Sequence, residues 1–447
     1  MANVSTLRLA PPDGTVASAD PSSIRNCQGN FMTSLRTCLW LVLLALWTLL
    51  AAGCAALPEG TASQDALTCT DELGCIAVVA DEPVTIGSMV VLSGPNANLG
   101  QDAANAIAIA LAEFGEIHGH PVDLISEDSL CSAEGGQTAA TRLMANPAVV
   151  GVLGTSCSSA ATAAIPIVTS AGRSMIAAST TSPSLTNPDR DTGGVWQHGY
   201  YRTAHNDRML GRLAAEYAFN QLGARTLATI HDGSIYADLN QAMTAASFKE
   251  LGGEVVFQGA VNVGDLDMRP VLIEVATHEP DVLLFPIFQP EGNLLVAQAR
   301  DIPGLENTEL MGGNALFSED FLPNTGEAAV GMYMTGPRIV SARYDELRRK
   351  YVEMHGIPPT SGYHAHMYDA VRMLLHAITA ATQVDADGSL LIGLQAIRDT
   401  LDSLEQFDGI TGSLTCSETG DCATGEALAM FHIQDLDSWP PAVAPQP

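Results

Sequence analysis

Lysine is almost missing from this chain. Lys249 and Lys350 are the only two, and 20 basic residues face 50 acidic ones, for a formal charge of −30. So little positive charge leaves no patch able to neutralise a phosphate backbone, which argues against nucleic-acid binding. Charge of either sign is scarce too, at 16%, while apolar residues reach 47%, a composition that builds cores rather than disordered chain. Catalytic signatures are equally wanting. No G-x-S-x-G elbow surrounds any serine, and Gly154-Thr155-Ser156-Cys157-Ser158 only approaches one. No Walker sequence and no G-x-G-x-x-G opens a helix. His364-Ala365-His366 resembles a metal pair, but positions two apart on a helix diverge by about 200°, so the two rings cannot share a face. They are expected to be polar residues flanking an apolar helix, and His118-Gly119-His120 an exposed turn. The chain is therefore expected to be no enzyme and to hold neither cofactor nor metal.

What is present begins with a leader. Residues 37–58 carry no charge, follow Arg36, and run through Leu39 to Trp47 into Leu50-Ala51-Ala52-Gly53-Cys54. A basic start, an apolar centre and small residues before a cysteine describe a secretory signal ending in a bacterial lipobox. Cys54 would then carry the lipid. About 20 apolar residues also suffice for a single membrane span, the rival reading. Met32 stands just ahead of the apolar stretch, so translation starts at either Met1 or Met32. Residues 1–53 are read as extension plus signal peptide, and 55–83, acidic and rich in small residues, as a flexible tether.

Export gives the cysteines a meaning. Six remain beyond Cys54, and an even number in an exported chain reads as disulfides, although six allow 15 pairings. Spacing favours Cys69–Cys75, Cys131–Cys157 and Cys416–Cys422. No pair has the C-x₂-C spacing that a zinc site would want.

From Val84 the pattern alternates between short apolar runs and helical stretches. VTIGSMVVL, PVDLISED, AVVGVLG and SMIAAS read as strands, separated by helices beginning near Gln101, Ala133 and Ser158. The pattern restarts after VWQHGYYRTA, with strands TLATIHD, EVVFQGAV, DVLLFPI and ELMGG between further helices. Strands alternating with helices predict parallel, doubly wound sheets, and two such runs predict two of them. Helices return at 343–355 and 361–383. The segment GITGSLTCSETGD with EALAMFHIQD reads as a β-hairpin, and residues 436–447 as a frayed, Pro-rich tail.

Several segments together resemble the type I periplasmic binding proteins, in the leucine/isoleucine/valine-binding branch of ABC-transporter receptors. They are Val91-Leu92-Ser93-Gly94-Pro95 with Leu99-Gly100, Gly154-Thr155-Ser156-Cys157-Ser158-Ser159, and Met175 to Pro183. His231-Asp232 with Tyr236, Tyr368-Asp369-Ala370 and Gly412-Ser413-Leu414-Thr415 follow in the family's order. The likeness covers about residues 84–435 and implies an α/β fold of two Rossmann-like lobes with parallel sheets, joined by a three-strand hinge. Carried over, lobe one is 84–205 with 338–408, and lobe two is 206–337 with 409–435. The implied function is capture of an amino acid or similar small carboxylate and delivery to an ABC-transporter permease, by a periplasmic lipoprotein held at the membrane. A ligand-sensing lipoprotein of the same fold without a transport role is the rival; neighbouring permease and ATPase genes would favour transport.

Ser158 and Ser159 stand where a loop becomes a helix, so hydroxyls and backbone N–H groups face outward at its positive end. Ser179 and Thr181 end the next strand and face the same cleft. The resemblance assigns Ser158, Ser179 and Thr181 to a ligand carboxylate and part of its ammonium; the plain alternative for Ser158 is a helix N-cap. Tyr236 and Phe288 fall where the family places aromatic walls. Asn314 departs from the pattern: the family branch carries a glutamate there, whose charge an asparagine lacks. Asp207, near the first crossover, is the candidate to replace that charge.

Overall fold

The computed structural model describes residues 67–423 and 428–445. The leader, Cys54 and residues 55–66 of the expected tether lie outside the described residues. Contacts divide the chain into 1–64 and 65–447, and everything described belongs to the second unit.

The first half builds one sheet. Its strands are β2 (Val84–Val90), β3 (Glu116–Ile117), β4 (His120–Asp128), β5 (Val149–Gly154), β6 (Ser174–Ala177) and β7 (Tyr200–Arg202), preceded by a separate β1 (Cys75–Val78). The order is β3-β4-β2-β5-β6-β7, with only the β3–β4 pair antiparallel. Central β2 is buried at every position, as a parallel strand covered on both faces must be. The covering helices are α1 (Ala97–Phe114), α2 (Ala133–Met144) and α3 (Ser158–Ser170). Ile86 and Ile107 fill one face of the sheet, and Leu143, Val152 and Ile165 the other. Gly100 in α1 is required by close approach: a Cβ there would lie 1.6 Å from the Val91 carbonyl oxygen. That contact seats the start of α1 directly on the end of β2.

The second sheet repeats the logic. It uses β8 (Thr226–His231), β9 (Glu254–Ala260), β10 (Val282–Phe285), β11 (Glu309–Gly312) and β12 (Tyr333–Pro337) as parallel neighbours. Helices α4 (Asp207–Glu216), α5 (Ile235–Glu250), α6 (Arg269–Ala276), α7 (Glu291–Ala299) and the short α8 (Phe321–Thr325) connect them. Ile230, Phe285 and Leu295 pack one face, Phe248 and Leu284 the other.

The remaining chain visits both halves. Helices α9 (Ala342–His355) and α10 (His364–Ala380) return to the first sheet, where α10 packs on α1. They are followed by β13 (Thr382–Val384), β14 (Leu390–Gly393), α11 (Leu394–Asp402), the two-residue strands β15 (Phe407–Asp408) and β16 (Ser413–Leu414), then β17 (Leu428–His432) and β18 (Ala442–Val443).

Three expectations fail here. The tether is ordered over residues 67–83: β1 pairs with β14, Ile76 and Val78 enter the core, and Asp71 accepts from the Gln395 and Ala396 amides at the start of α11. Those partners lie more than 300 residues away, so local composition could not disclose them. The C-terminal tail is not frayed over residues 436–445, because β18 pairs with β17 and Trp439 packs on Phe317 at 5.2 Å between ring centroids. Nor do the described residues of 409–435 form one hairpin: β16 pairs with β15, and β17 joins β12 in the second sheet.

The three disulfides are Cys69–Cys75, Cys131–Cys157 and Cys416–Cys422. Among the described residues no helix is long and apolar enough to cross a membrane.

Candidate functional site

Parallel strands leave their carboxyl ends, and the helix N-termini that follow them, at one edge of a sheet. Here those edges face each other across a cavity whose empty space, counted together with the open solvent at its mouth, is about 580 Å³. The first sheet contributes Ser156, Ser158 and Ser179 after β5 and β6, and Asn98 and Leu99 from the start of α1. The second contributes Tyr236 on α5, Phe288 and Gln289 after β10, and Asn314 after β11. Tyr363, just ahead of α10, adds to the lining.

The serine corner holds uncommitted donors. The Ser156 hydroxyl oxygen accepts from the Val91 amide at 3.1 Å, and that of Ser158 from the Ser182 amide at 3.3 Å. Each keeps its own hydrogen to give. Ser179 differs, donating its hydrogen to the Ser156 carbonyl at 2.9 Å. The N-cap of α3 is Cys157, whose side chain makes no capping bond, so Ser158 is the first helical residue and not the cap. The first turn of α3 contains no acidic residue. Its orphan N–H groups and positive dipole end are thus left unneutralised beside two free hydroxyls.

The opposite wall is aromatic with an amide at its centre. The Tyr236 and Phe288 rings lie 5.1 Å apart, tilted by 55°. The Tyr236 hydroxyl donates to Asn314 Oδ1 at 2.6 Å and accepts from the Ala315 amide at 3.3 Å. Asn314 Nδ2 in turn donates to the Tyr363 hydroxyl. Burial pushes both phenols well above their ordinary value, so they stay neutral donors. Gly313 permits this approach, since a Cβ there would stand 2.5 Å from the Tyr236 hydroxyl.

A clasp closes the mouth. Asp320 Oδ2 accepts from Asn98 Nδ2 at 2.7 Å, while Oδ1 accepts from Ser318 Oγ at 2.6 Å and Gln289 Nε2 at 3.0 Å. The Ile235 amide also donates across the cleft to Ser159 Oγ, at 3.4 Å. Ser159 therefore bridges the two halves and does not line the cavity.

Thr181 and Asp207 do not line it either, which corrects both assignments. Thr181 Oγ1 donates to Asp207 Oδ2 at 3.0 Å, and Asn240 Nδ2 donates to Oδ1 at 2.9 Å. Both carboxylate oxygens are committed inside the protein, and burial pushes this carboxyl up to about 7. Asp207 ties the loop after β6 to α5 instead of offering charge to a ligand. The histidines need correction as well. His364 and His366 are both buried, and burial holds His366 well below its usual value. His120 is buried between the Glu82 and Gly388 carbonyls, and only His118 is exposed. Among the described residues no group of His, Cys, Asp and Glu is arranged to hold a metal.

Sequence reasoning missed Ser156, Asn98, Gln289, Asp320 and Tyr363. Ser156 lay inside a segment already singled out, where its neighbour Ser158 drew the attention. For Asp320, the structure supplies the meaning through a partner on the other sheet.

A family model described as periplasmic binding protein matches residues 83–435. A Leu/Ile/Val-binding protein homolog of Brucella abortus is 26% identical over 345 residues, 76% of this chain and 87% of the relative. Among solved structures, the branched-chain amino acid transporter substrate-binding protein of Streptococcus pneumoniae, in complex with isoleucine, has a TM-score of 0.69 at 23% identity. That match covers 82% of this chain and 100% of the other. A solute-binding protein of an ABC transporter from R. palustris, in complex with 4-hydroxybenzoate, has a TM-score of 0.68 at 17% identity, covering 82% and 96%. Both likenesses speak for the same two-lobed α/β fold.

Proposed function

The chain belongs to the periplasmic binding protein family, and from that premise we propose that it is the extracytoplasmic substrate-binding component of an ABC transporter, capturing an amino acid or related small carboxylate. Members of this family bind their substrates and do not transform them. The observation that carries the reading is the polarity of the cavity. On one side, two free serine hydroxyls sit with the uncapped positive end of α3; on the other stand aromatic rings around a buried amide. A carboxylate is met by charge-assisted hydrogen bonds and an apolar body by the rings. Relatives named for leucine, isoleucine and valine, and one solved with 4-hydroxybenzoate, fall within that chemistry.

In this reading the core contacts move the lobe bounds from those expected. Lobe one takes 67–205 with 338–423, since Ile76, Leu414 and Cys422 pack in the first core, and lobe two takes 206–337 with 428–445, since β17 and β18 extend the second sheet. They close by a hinge motion, and the permease reads the closed form. Cys54 carries the lipid that keeps the protein at the membrane. Ser158 and Ser156 hold the ligand carboxylate, and Tyr236, Phe288 and Leu99 enclose its body.

The test is calorimetric titration of the chain from residue 55 with amino acids, 2-oxo acids, hydroxy acids and aromatic acids. One class should bind at one site per chain. Ser158→Ala should weaken it by about tenfold or more, the worth of one hydrogen bond to a charged group. Silence across all four classes, with folded and ligand-free protein, would overturn the proposal.

A further inference from the structure

An ammonium group is three donors and no acceptor, so a site that reads it needs acceptors or a negative charge. The amide corner of this cavity offers the reverse. Asn314 Oδ1 already takes the Tyr236 O–H, and Nδ2 gives one hydrogen to the Tyr363 oxygen. The second Nδ2 hydrogen and the Tyr363 O–H have no acceptor among the described residues. Both side chains line the cavity, so that wall carries two donor hydrogens to be matched. No carboxylate is hydrogen-bonded to Asn314 or Tyr363 among the described residues. Asp320, the one on the cavity wall, accepts from three donors and is committed to the clasp, and Asp207 is off the wall.

We propose that this site selects a monocarboxylate whose second polar group is an uncharged oxygen, a carbonyl or hydroxyl, and discriminates against the α-amino acid of the same skeleton. The inference rests on the cavity being a small-carboxylate site. A carbonyl or hydroxyl oxygen accepts from the Asn314 amide and the Tyr363 hydroxyl together and satisfies both. An ammonium in the same place meets donors with donors and loses its water without replacement, the costly case for a buried charge. The serine corner is unaffected by this choice, since it handles the carboxylate in either case.

The experiment compares one skeleton in three forms, leucine, 4-methyl-2-oxopentanoate and 2-hydroxy-4-methylpentanoate, together with 4-hydroxybenzoate, by titration calorimetry. The wild-type chain should bind at least one of the oxygen-bearing acids tenfold or more tighter than leucine. Asn314→Asp, the same shape with a charge, accepts from both phenols and should move the preference towards leucine by tenfold or more. Wild-type protein that binds leucine as tightly as, or tighter than, every oxygen-bearing acid overturns this inference but leaves the small-carboxylate reading standing. No binding by any of the four overturns this inference. Loss of the broader reading needs silence from the whole acid panel, so the two failures are distinguishable. The wild-type comparison decides the matter even where the Asn314→Asp chain does not fold.

Discussion

Replacing Asp207 by asparagine exchanges a fully buried carboxyl for an amide of the same shape. In the wild-type chain, burial is the dominant influence and raises this group, while the hydrogen bonds from Asn240 and Thr181 and the charge of Arg202 pull the other way. The balance stands at about 7, against an ordinary value of 3.8. Below that ordinary value, folded and unfolded chains both hold the proton, and the carboxyl adds no pH dependence. As pH rises further the unfolded chain ionises first while the folded chain keeps its proton. Stability therefore falls with rising pH through this window, and the loss is complete once the folded group has ionised, somewhat above 7. At about 1.36 kcal/mol for each pH unit between the two values, the full loss is about 4 kcal/mol. Asparagine has no proton to lose. Urea unfolding of both proteins at pH 4, 5.5, 7 and 8.5 isolates the contribution, because every other titrating group is common to the pair. The variant should gain on the wild type by several kcal/mol from the lowest pH to the highest. Parallel stability curves for the two proteins would refute the assignment of this window to Asp207.

Breaking the clasp with Asp320→Ala should weaken every ligand by a common factor of about threefold or more, one ordinary hydrogen bond, without changing their ranking. Titration with two unrelated ligands checks it, and a changed ratio between them would make Asp320 a ligand contact instead. Removing the Cys131–Cys157 disulfide by paired serine substitution opens a loop with a sequence separation of 26 and should cost about 3.5 kcal/mol by chain entropy, read in urea unfolding. Ligand affinity should fall as well, since Cys157 is the N-cap of α3 and lines the cavity.

The sheets were legible in the sequence because a buried parallel strand is a local event. Apolar runs such as Val84–Val90 and Val149–Gly154 announce themselves without knowledge of their neighbours. The cavity residues that sequence singled out, Ser158, Ser179, Tyr236, Phe288 and Asn314, all follow strand ends, where position along the chain predicts position in space. Thr181 and Asp207 were misread because both also follow strand ends, and only the partner Asn240 reveals that their polar atoms turn inward. Asp71, Asp320 and Trp439 were missed for a related reason. Their partners lie on elements from distant parts of the sequence, and nothing local distinguishes an acid that caps a remote helix from one in a solvated loop.

This division between strand-end residues and cross-cleft residues also separates two properties of a binding protein. Bonds such as Asn98–Asp320 and Ser159–Ile235 join protein to protein, so under the proposed hinge motion they favour the closed form whatever fills the cavity. A change in them alters the fraction of chains ready to bind, and apparent affinity moves by that fraction for all ligands alike. Ser158 makes no bond across the cleft, its oxygen accepting from the Ser182 amide of its own half, so in the proposed reading it acts on which ligand is preferred and not on closure. Asn314 is the exception that belongs to both groups. Its bond to Tyr363 links an element of the second sheet to the segment entering α10 on the first, and its side chain also lines the cavity. Exchanging that one side chain alters closure and selectivity together, so its effect on preference is read from the ratio between two ligands, where the common closing contribution cancels.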